Sequence, residues 1–300
     1  MVDAAERPRA SWAATPGTST QPLQSRTFQS SLRPCSMNTV VFQSFRSDGV
    51  PTWIGRCMQS VREWAASRGF AYRFIDDRAF EHVPDWFRRR SPNVCTTMDL
   101  ARLVLARELL REYDRAVWVD ADIVIFAPER MDIPEAENCF FSREIWFSRS
   151  PGRGLVWREK VNNSVACFRR GNAQLDFLID ACLRIARHSP ALHKLDLGTR
   201  FLSRLAELVP LPLLDQVGMF SPLLMASIAA GRESFLRIYA RHLPAQLACA
   251  NLCMSFQGMR IAELQVDEAL SHRVIDRCLQ TRGDVVNRFV ARQRGVHQVA

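Results

Sequence analysis

The sequence predicts an α/β fold: a mostly parallel central sheet with helices on both faces. Three features carry that expectation. Between about residues 39 and 126, apolar runs and helical periodicities alternate as strand, helix, strand, helix, strand. That order arises when parallel strands are joined by crossover helices. The second of those helices is apolar around most of its circumference, which requires burial. And 47% of the 300 residues are apolar, enough for a sizeable core.

The elements follow in order. Residues 1–36 are rich in Ser, Thr, Pro, Gln and Arg and lack periodicity; they are expected to be a disordered leader. Met37 stands directly before the first apolar run and is a second candidate start. Residues 39–45 read as a strand and Asp48-Gly49-Val50-Pro51 as a turn. Trp53, Cys57, Val61 and Trp64 recur at helical spacing, giving a helix over 53–68 closed by Gly69. Residues 71–75 form a second strand, and an irregular, aromatic-rich segment runs to Asn93. A buried helix is predicted over 96–111, with Thr96 or Thr97 as N-cap. Val117, Trp118 and Val119 make the third strand. Residues 139–142 and 165–168 are expected strands, and 172–187 a helix with Leu175, Leu178, Ile179 and Cys182 on one face. Beyond 196 the pattern suggests short helices, a strand near 246–250 and helical residues over 266–280. No internal repeat or linker divides residues 37–300, which are expected to form one domain.

Composition narrows the partners. Forty basic and 31 acidic residues give a net charge of +9, and only Lys160 and Lys194 are lysines. A modest positive excess suits anionic partners such as nucleotide phosphates or anionic lipids. No dense basic run interleaved with aromatics occurs, so nucleic acid is not expected as a partner. The nine cysteines include no C-x-x-C pair, and Cys249 and Cys253 sit in apolar surroundings that predict reduced core thiols. No apolar run is long enough to span a membrane. A cytoplasmic protein, with the inner face of the membrane as a second location, is the expectation.

The most informative segment is Val117 to Phe126, where Asp120-Ala121-Asp122 follows an apolar strand. In extended backbone, residues i and i+2 point the same way, so both carboxylates are expected to face one spot. Converging anions repel unless a cation lies between them. Oxygen ligands favour Mg²⁺ or Mn²⁺, metals usually shared with substrate phosphates. Asp99 and Arg102, three apart on the buried helix, share a face and are expected to reach the same crevice. Arg102 would meet a phosphate there and Asp99 sugar hydroxyls. Asn162-Asn163-Ser164 stands at the expected beginning of a strand, and an Asn there can both donate to and accept from hydroxyls. Leu197-Gly198-Thr199 reads as a turn into a helix, with Gly198 allowing a close approach of ligand to backbone.

In their order these features resemble the DxD-containing glycosyltransferases that include yeast Golgi α-mannosyltransferases, bacterial capsular-polysaccharide sugar transferases and clostridial glucosylating toxins. Val41 to Phe45 with Val50-Pro51-Thr52-Trp53 is similar to the family's first strand and its P-x-W turn. Met98-Asp99-Leu100-Ala101-Arg102 resembles its D-x-x-R helix, and Asp120-Ala121-Asp122 its metal motif. Asn163-Ser164 and Leu197-Gly198-Thr199 stand where the family has a sugar-contacting Asn and a G-P turn. Thr199 departs from the usual Pro, and Glu112-Tyr113-Asp114-Arg115 from the usual Gly-Gly.

The resemblance, over about 38–205, implies a GT-A-like nucleotide-binding sandwich, with 206–300 forming the acceptor and C-terminal part. It implies a retaining, metal-dependent hexosyltransferase of polysaccharide biosynthesis. Such an enzyme moves a sugar from a nucleotide-diphosphate donor, a UDP-sugar first, to a glycan, lipid-linked or protein hydroxyl. Asp120 and Asp122 would be the catalytic metal ligands for Mn²⁺ or Mg²⁺. Asp99, Arg102, Asn163 and Gly198 would bind the donor. Asn251, Ser255 and His242 are candidates for a further ligand. Two other classes compete. Val119 to Val124 also fits the D-x-D nucleophile motif of haloacid-dehalogenase-like phosphatases, with Asp120 as nucleophile. A non-catalytic nucleotide-sugar-binding protein is the third.

Overall fold

A computed structural model of the chain describes residues 37–135, 137–150, 152–261 and 263–294. The expected leader, 1–36, lies outside the described residues. The chain opens with β1 (Thr39–Ser44), α1 (Thr52–Ser67) and β2 (Ala71–Ile75). Gly69, at φ +69°, follows the end of α1, a backbone state that Gly adopts without a Cβ clash. Then come α2 (Asp85–Arg90), α3 (Val94–Leu109), β3 (Arg115–Val119) and β4 (Ile123–Ile125). The N-cap of α3 is Asn93, whose side chain accepts from the Thr96 amide; it replaces the Thr96 or Thr97 cap expected from sequence. The segment expected to be irregular holds a short 3-10 helix, Asp77–His82, and α2. Both are too short to show a period.

The chain continues through β5 (Cys139–Ser150), β6 (Gly154–Arg169), α4 (Ala173–His188), α5 (Thr199–Ala206), β7 (Leu213–Leu214) and β8 (Val217–Met219). It ends with α6 (Pro222–Ala230), α7 (Glu233–Ala240), β9 (Cys249–Asn251), α8 (Glu268–Gln280) and α9 (Asp284–Arg294). None of these described helices is long and apolar enough to cross a membrane.

The six-stranded sheet has the order β2-β1-β3-β6-β5-β7. β2, β1 and β3 are mutually parallel, β6 is antiparallel to both its neighbours, and β5 and β7 are parallel. Five of the six strands therefore run the same way, as the mostly parallel expectation requires. A second sheet, β4-β9-β8, stands beside it. Residues alternate between faces. Phe42, Trp118, Ala166 and Phe168 pack with Leu100, Val104, Leu178 and Cys182 of α3 and α4. Val41, Val117, Val119 and Val165 pack with Val61 and Trp64 of α1 and with the second sheet. Each large apolar side chain so buried contributes ~1.5–3 kcal/mol, which makes the sheet a rigid base.

Two features set up the site. β1 lies between β2 and β3, so the chain moves to one side for β2 and then back past β1 to β3, and in open α/β sheets ligands bind at the strand C-termini beside such a reversal. And the β5–β6 hairpin is far longer than the two short strands expected. Its register shifts between Phe141 and Ser142, which pair with Ala166 and Asn162. Residues 163–165 thus bulge out, and Ser142 Oγ fills the gap by donating to the Asn162 carbonyl at 2.9 Å and accepting from the Val165 amide at 3.3 Å. Asn162 to Ser164 therefore sit inside β6 rather than at the beginning of a strand. Bulges re-aim side chains, and this one controls where both Asn residues point.

Candidate functional site

Asp120 and Asp122 stand where β3 ends. Their convergence is not produced by extended backbone, as the sequence suggested. Ile123 N donates to the Asp120 carbonyl at 3.1 Å, so the two residues lie in a tight turn. Gln43 Nε2 donates to the same carbonyl at 3.2 Å and is held in turn by Tyr72 OH at 3.0 Å. On the other side, Leu252 N donates to the Asp122 carbonyl at 3.0 Å. The turn is thus pinned by β1 and by the end of β9.

Each carboxylate has one oxygen tied down and one directed inward. Asp120 Oδ1 accepts from Trp118 Nε1 at 2.7 Å and from Arg102 Nη1 at 3.0 Å. Asp122 Oδ2 accepts from Met254 N at 2.7 Å. The remaining oxygens, Asp120 Oδ2 and Asp122 Oδ1, lie 3.4 and 2.8 Å from the same atom, Asn251 Nδ2. A single electropositive amide sits at the point where the two anions meet.

Met254 reaches Asp122 because the residue before it, Cys253, takes a left-handed conformation at φ 54°. Such a backbone costs a residue with a Cβ ~1–2 kcal/mol and persists when the surroundings fix it. Here the Asn251 side chain does so, accepting from Cys253 N at 2.7 Å.

Asp99 and Arg102 join this cluster. Arg102 Nη1 also donates to the Asn163 carbonyl at 2.9 Å, its Nη2 is 3.4 Å from Asp99 Oδ1, and its guanidinium stacks 4.9 Å from the Trp118 ring centre. Asn163 Nδ2 donates to Asp99 Oδ1 at 2.9 Å. Gly198 closes the group. A Cβ there would fall 2.8 Å from Asp99 Oδ2, so the close neighbour that demands glycine is the Asp99 carboxylate, where a ligand had been expected. Asp120, Asp122, Asp99, Arg102, Asn163 and Gly198 all belong to one connected cluster.

The electrostatics of the cluster are those of an anion trap in reverse. Burial raises the pKa of Asp99 to about 6, against the lowering pull of Arg102 and Asn163. Burial likewise raises Asp120, opposed by Arg102 and Trp118. Asp122 is raised by burial and then by the charge of Asp120. One guanidinium pairs with two of the three carboxylates, Asp99 and Asp120, and the surplus negative charge is most concentrated between Asp120 and Asp122.

That arrangement fits a divalent cation. Two inward carboxylate oxygens supply hard oxygen donors, and Mg²⁺ or Mn²⁺ held by one or two carboxylates keeps its other positions for phosphate and water. Among the described residues no group of three or more His, Cys, Asp or Glu completes a closed cage. Of the further candidates, Asn251 is corrected. It reaches both aspartates, but through its N–H₂, because its Oδ1 is occupied by Cys253 N. An amide donor is not a metal ligand. His242 lies instead against Trp157 and Phe147, with ring centroids 4.1 and 5.4 Å away. Ser255 is exposed on the 3-10 turn Met254–Phe256. The eight described cysteines are free, seven of them buried, as core thiols should be.

Sequence reasoning missed Trp118, Gln43 and the Met254 amide. Trp118 carried a signal: two residues before Asp120 in a strand, it shares the face of that side chain. The Met254 amide carried none, since a backbone donor has no sequence signature.

No protein-family model matches the chain, and no curated protein does either. Among solved structures it is similar to a glycosyltransferase involved in glycosylation of the major capsid of PBCV-1. The identity is 9% over 80% of this chain and 98% of that one, with a TM-score of 0.45. It is also similar to mouse xyloside xylosyltransferase 1 in its apo form, at 11% identity over 73% and 98% of the two chains and a TM-score of 0.41. A third is a Drosophila beta-1,4-galactosyltransferase 7 variant in complex with manganese, UDP-Gal and xylobiose. There the identity is 11% over 50% and 63%, with a TM-score of 0.27. These structural neighbours are glycosyltransferases.

Proposed function

We propose that the protein is a metal-dependent glycosyltransferase that moves a sugar from a nucleotide-diphosphate sugar to an acceptor hydroxyl. The observation that carries this reading is the convergence of Asp120 Oδ2 and Asp122 Oδ1 on one donor, the Asn251 amide whose place a cation would take, beside the buried Asp99–Arg102 pair. Asp120 and Asp122 would hold Mn²⁺ or Mg²⁺, which when bound would neutralise charge on the departing nucleoside diphosphate. The chain's own residues set the conditions. Trp118 and Arg102 hold one oxygen of Asp120, so its other oxygen keeps its aim. The Met254 amide does the same for Asp122. Arg102, already counterbalanced by carboxylates, can share its guanidinium with a phosphate oxygen. Asp99 and Asn163, bonded to one another, present an acceptor and a carbonyl-bearing amide to sugar hydroxyls. Retention of configuration, a UDP donor and a glycan acceptor are part of the proposal. So are a lipid-linked or protein acceptor as other acceptor classes and a cytoplasmic location with docking at the membrane's inner face.

The phosphatase reading is less well supported. Its nucleophile would need a lysine partner, and the cation on Asp120 is Arg102. The test is a hydrolysis screen of UDP-, GDP- and CDP-sugars with and without Mn²⁺, alongside p-nitrophenyl phosphate. Asp122→Ala is expected to lower sugar-nucleotide turnover by at least ~100-fold, about 2.7 kcal/mol of transition-state stabilisation. Unchanged turnover at saturating donor and Mn²⁺ rejects the metal role. Steady phosphate release from p-nitrophenyl phosphate alone rejects the transferase.

A further inference from the structure

The β6 bulge sends two adjacent amides to two different carboxylates. Asn163 serves Asp99, as described. Asn162 Nδ2 donates to Glu144 Oε2 at 2.6 Å and to Thr199 Oγ1 at 3.2 Å, while its Oδ1 accepts from Ser164 N at 2.7 Å. Glu144, on β5, is only 8% exposed and takes no part in the aspartate cluster. Its second oxygen, Oε1, accepts no hydrogen bond among the described residues. Nor is it sealed: the buried, unpartnered side-chain atoms among the described residues are Trp53 Nε1 and Ser221 Oγ. A largely buried carboxylate oxygen that has no protein donor and is not sealed off is free to accept a hydrogen bond from an arriving hydroxyl.

The surroundings of Glu144 say what could arrive. Trp146 is two residues further along β5 and so shares its face. It stacks on Phe256, with centroids 5.5 Å apart and planes 24° apart, and both rings are half-buried. Phe256 belongs to the same 3-10 turn whose first residue, Met254, holds Asp122. Cys253 lies within electrostatic reach of Asp122, Glu144 and Asp120 together. The two lysines of the chain also flank this place. Lys160 stands opposite Glu144 across the β5–β6 ladder, and Lys194 Nζ is 5.8 Å from the centre of the Phe256 ring. A carboxylate beside an aromatic face suits a hydroxylated, uncharged ring. It repels a pyrophosphate, so it does not suit the donor's phosphates.

We propose that Glu144, oriented by Asn162 and set beside the Trp146–Phe256 pair, forms the acceptor subsite and takes a glycan hydroxyl on Glu144 Oε1. The proposal rests on the glycosyltransferase reading. It assigns the acceptor to the opposite side of the bulge from Asp99 and Arg102.

The test uses the full chain with Mn²⁺ and UDP on a printed glycan array, with UDP affinity measured in parallel by calorimetry. The wild type is expected to capture a defined set of glycans. Glu144→Gln, nearly isosteric, is expected to weaken that capture at least ~10-fold while UDP affinity moves less than about twofold. Trp146→Ala, at a half-buried position, is expected to weaken it similarly, with circular dichroism checking that both variants fold. Unchanged capture by folded Glu144→Gln overturns the acceptor subsite. So does a parallel loss of UDP affinity, which would move Glu144 to the donor. A wild type that binds UDP with Mn²⁺ but captures no glycan overturns it as well and leaves the donor-site reading standing. A wild type that does not bind UDP with Mn²⁺ overturns both.

Discussion

Arg115 and Arg102 lie at opposite ends of β3 and are almost equally buried, at 3% and 7% exposure. Their partners differ completely. Arg115 Nε donates to Thr39 Oγ1 at 3.0 Å and its Nη1 to the Ile133 carbonyl at 3.4 Å, and the guanidinium lies 5.6 Å from the Phe70 ring centre. Those partners are neutral, and they knit β1, β3 and the 128–133 connection together. Arg102 meets the carboxylates of Asp99 and Asp120 and the carbonyl of Asn163. Burial alone therefore says little about what a charged residue does. The Arg115 end balances its charge with dipoles and leaves nothing to bind. The Arg102 end gathers more negative charge than its single cation can satisfy, and that surplus is a binding capacity.

The sharpest way to break this contrast is to remove each cation in turn. Arg102→Met leaves two buried carboxylates uncompensated, and losing one partner of a buried pair costs ~3–5 kcal/mol. We expect that loss in chemical denaturation, together with loss of donor turnover. Arg115→Met leaves only a hydroxyl and a carbonyl without their donor, ~1–3 kcal/mol, and donor turnover per folded molecule should stay within about twofold. Equal effects on turnover would erase the distinction between the two ends.

The second effect concerns pH. Asp99 has a folded-state pKa raised from 3.8 to about 6, so between those values the native state holds a proton that the unfolded state has released. Stability therefore falls as pH rises from about 4 to about 6, and the lost contribution is of order 3 kcal/mol. Asp99→Asn removes that proton uptake. Its melting temperature relative to wild type is expected to climb over this window, while donor binding weakens. A constant difference between the two proteins across the window would show that Asp99 ionises freely in the fold.

The smallest effect is at Gly198. An alanine Cβ there would meet the Asp99 carboxylate, with Oδ2 at 2.8 Å and Oδ1 at 2.9 Å. Displacing that carboxylate is expected to cost ~1–3 kcal/mol and to raise the donor KM several-fold. Full activity would mean that Asp99 has room to move and that the Arg102 end is looser than its contacts imply.

Much of the first half was readable in advance. β1, α1 and β3 follow from apolar runs and helical spacing, because burial leaves a periodic trace; β2, an edge strand with no buried residue, was legible from its aromatic and β-branched residues. The β5–β6 hairpin was read only at its buried end. Its outer part, with Arg149, Leu155 and Arg158 exposed, lacks the apolar alternation that announces a strand. α9 was missed, since its apolar residues Val285, Val286, Phe289 and Val290 are few and flanked by charge.

What the sequence determined by itself is the chemical inventory and its order: two aspartates after an apolar strand, and an aspartate and arginine one helical turn apart. Only the tertiary structure decided how those groups face one another. The turn at Asp120 held by Gln43 and Leu252, the Met254 amide on Asp122, and the bulge filled by Ser142 all depend on hydrogen bonds between segments far apart in the chain. Local preference encodes which groups a segment carries. The directions in which they point are set by hydrogen bonds that exist only after the sheet has closed.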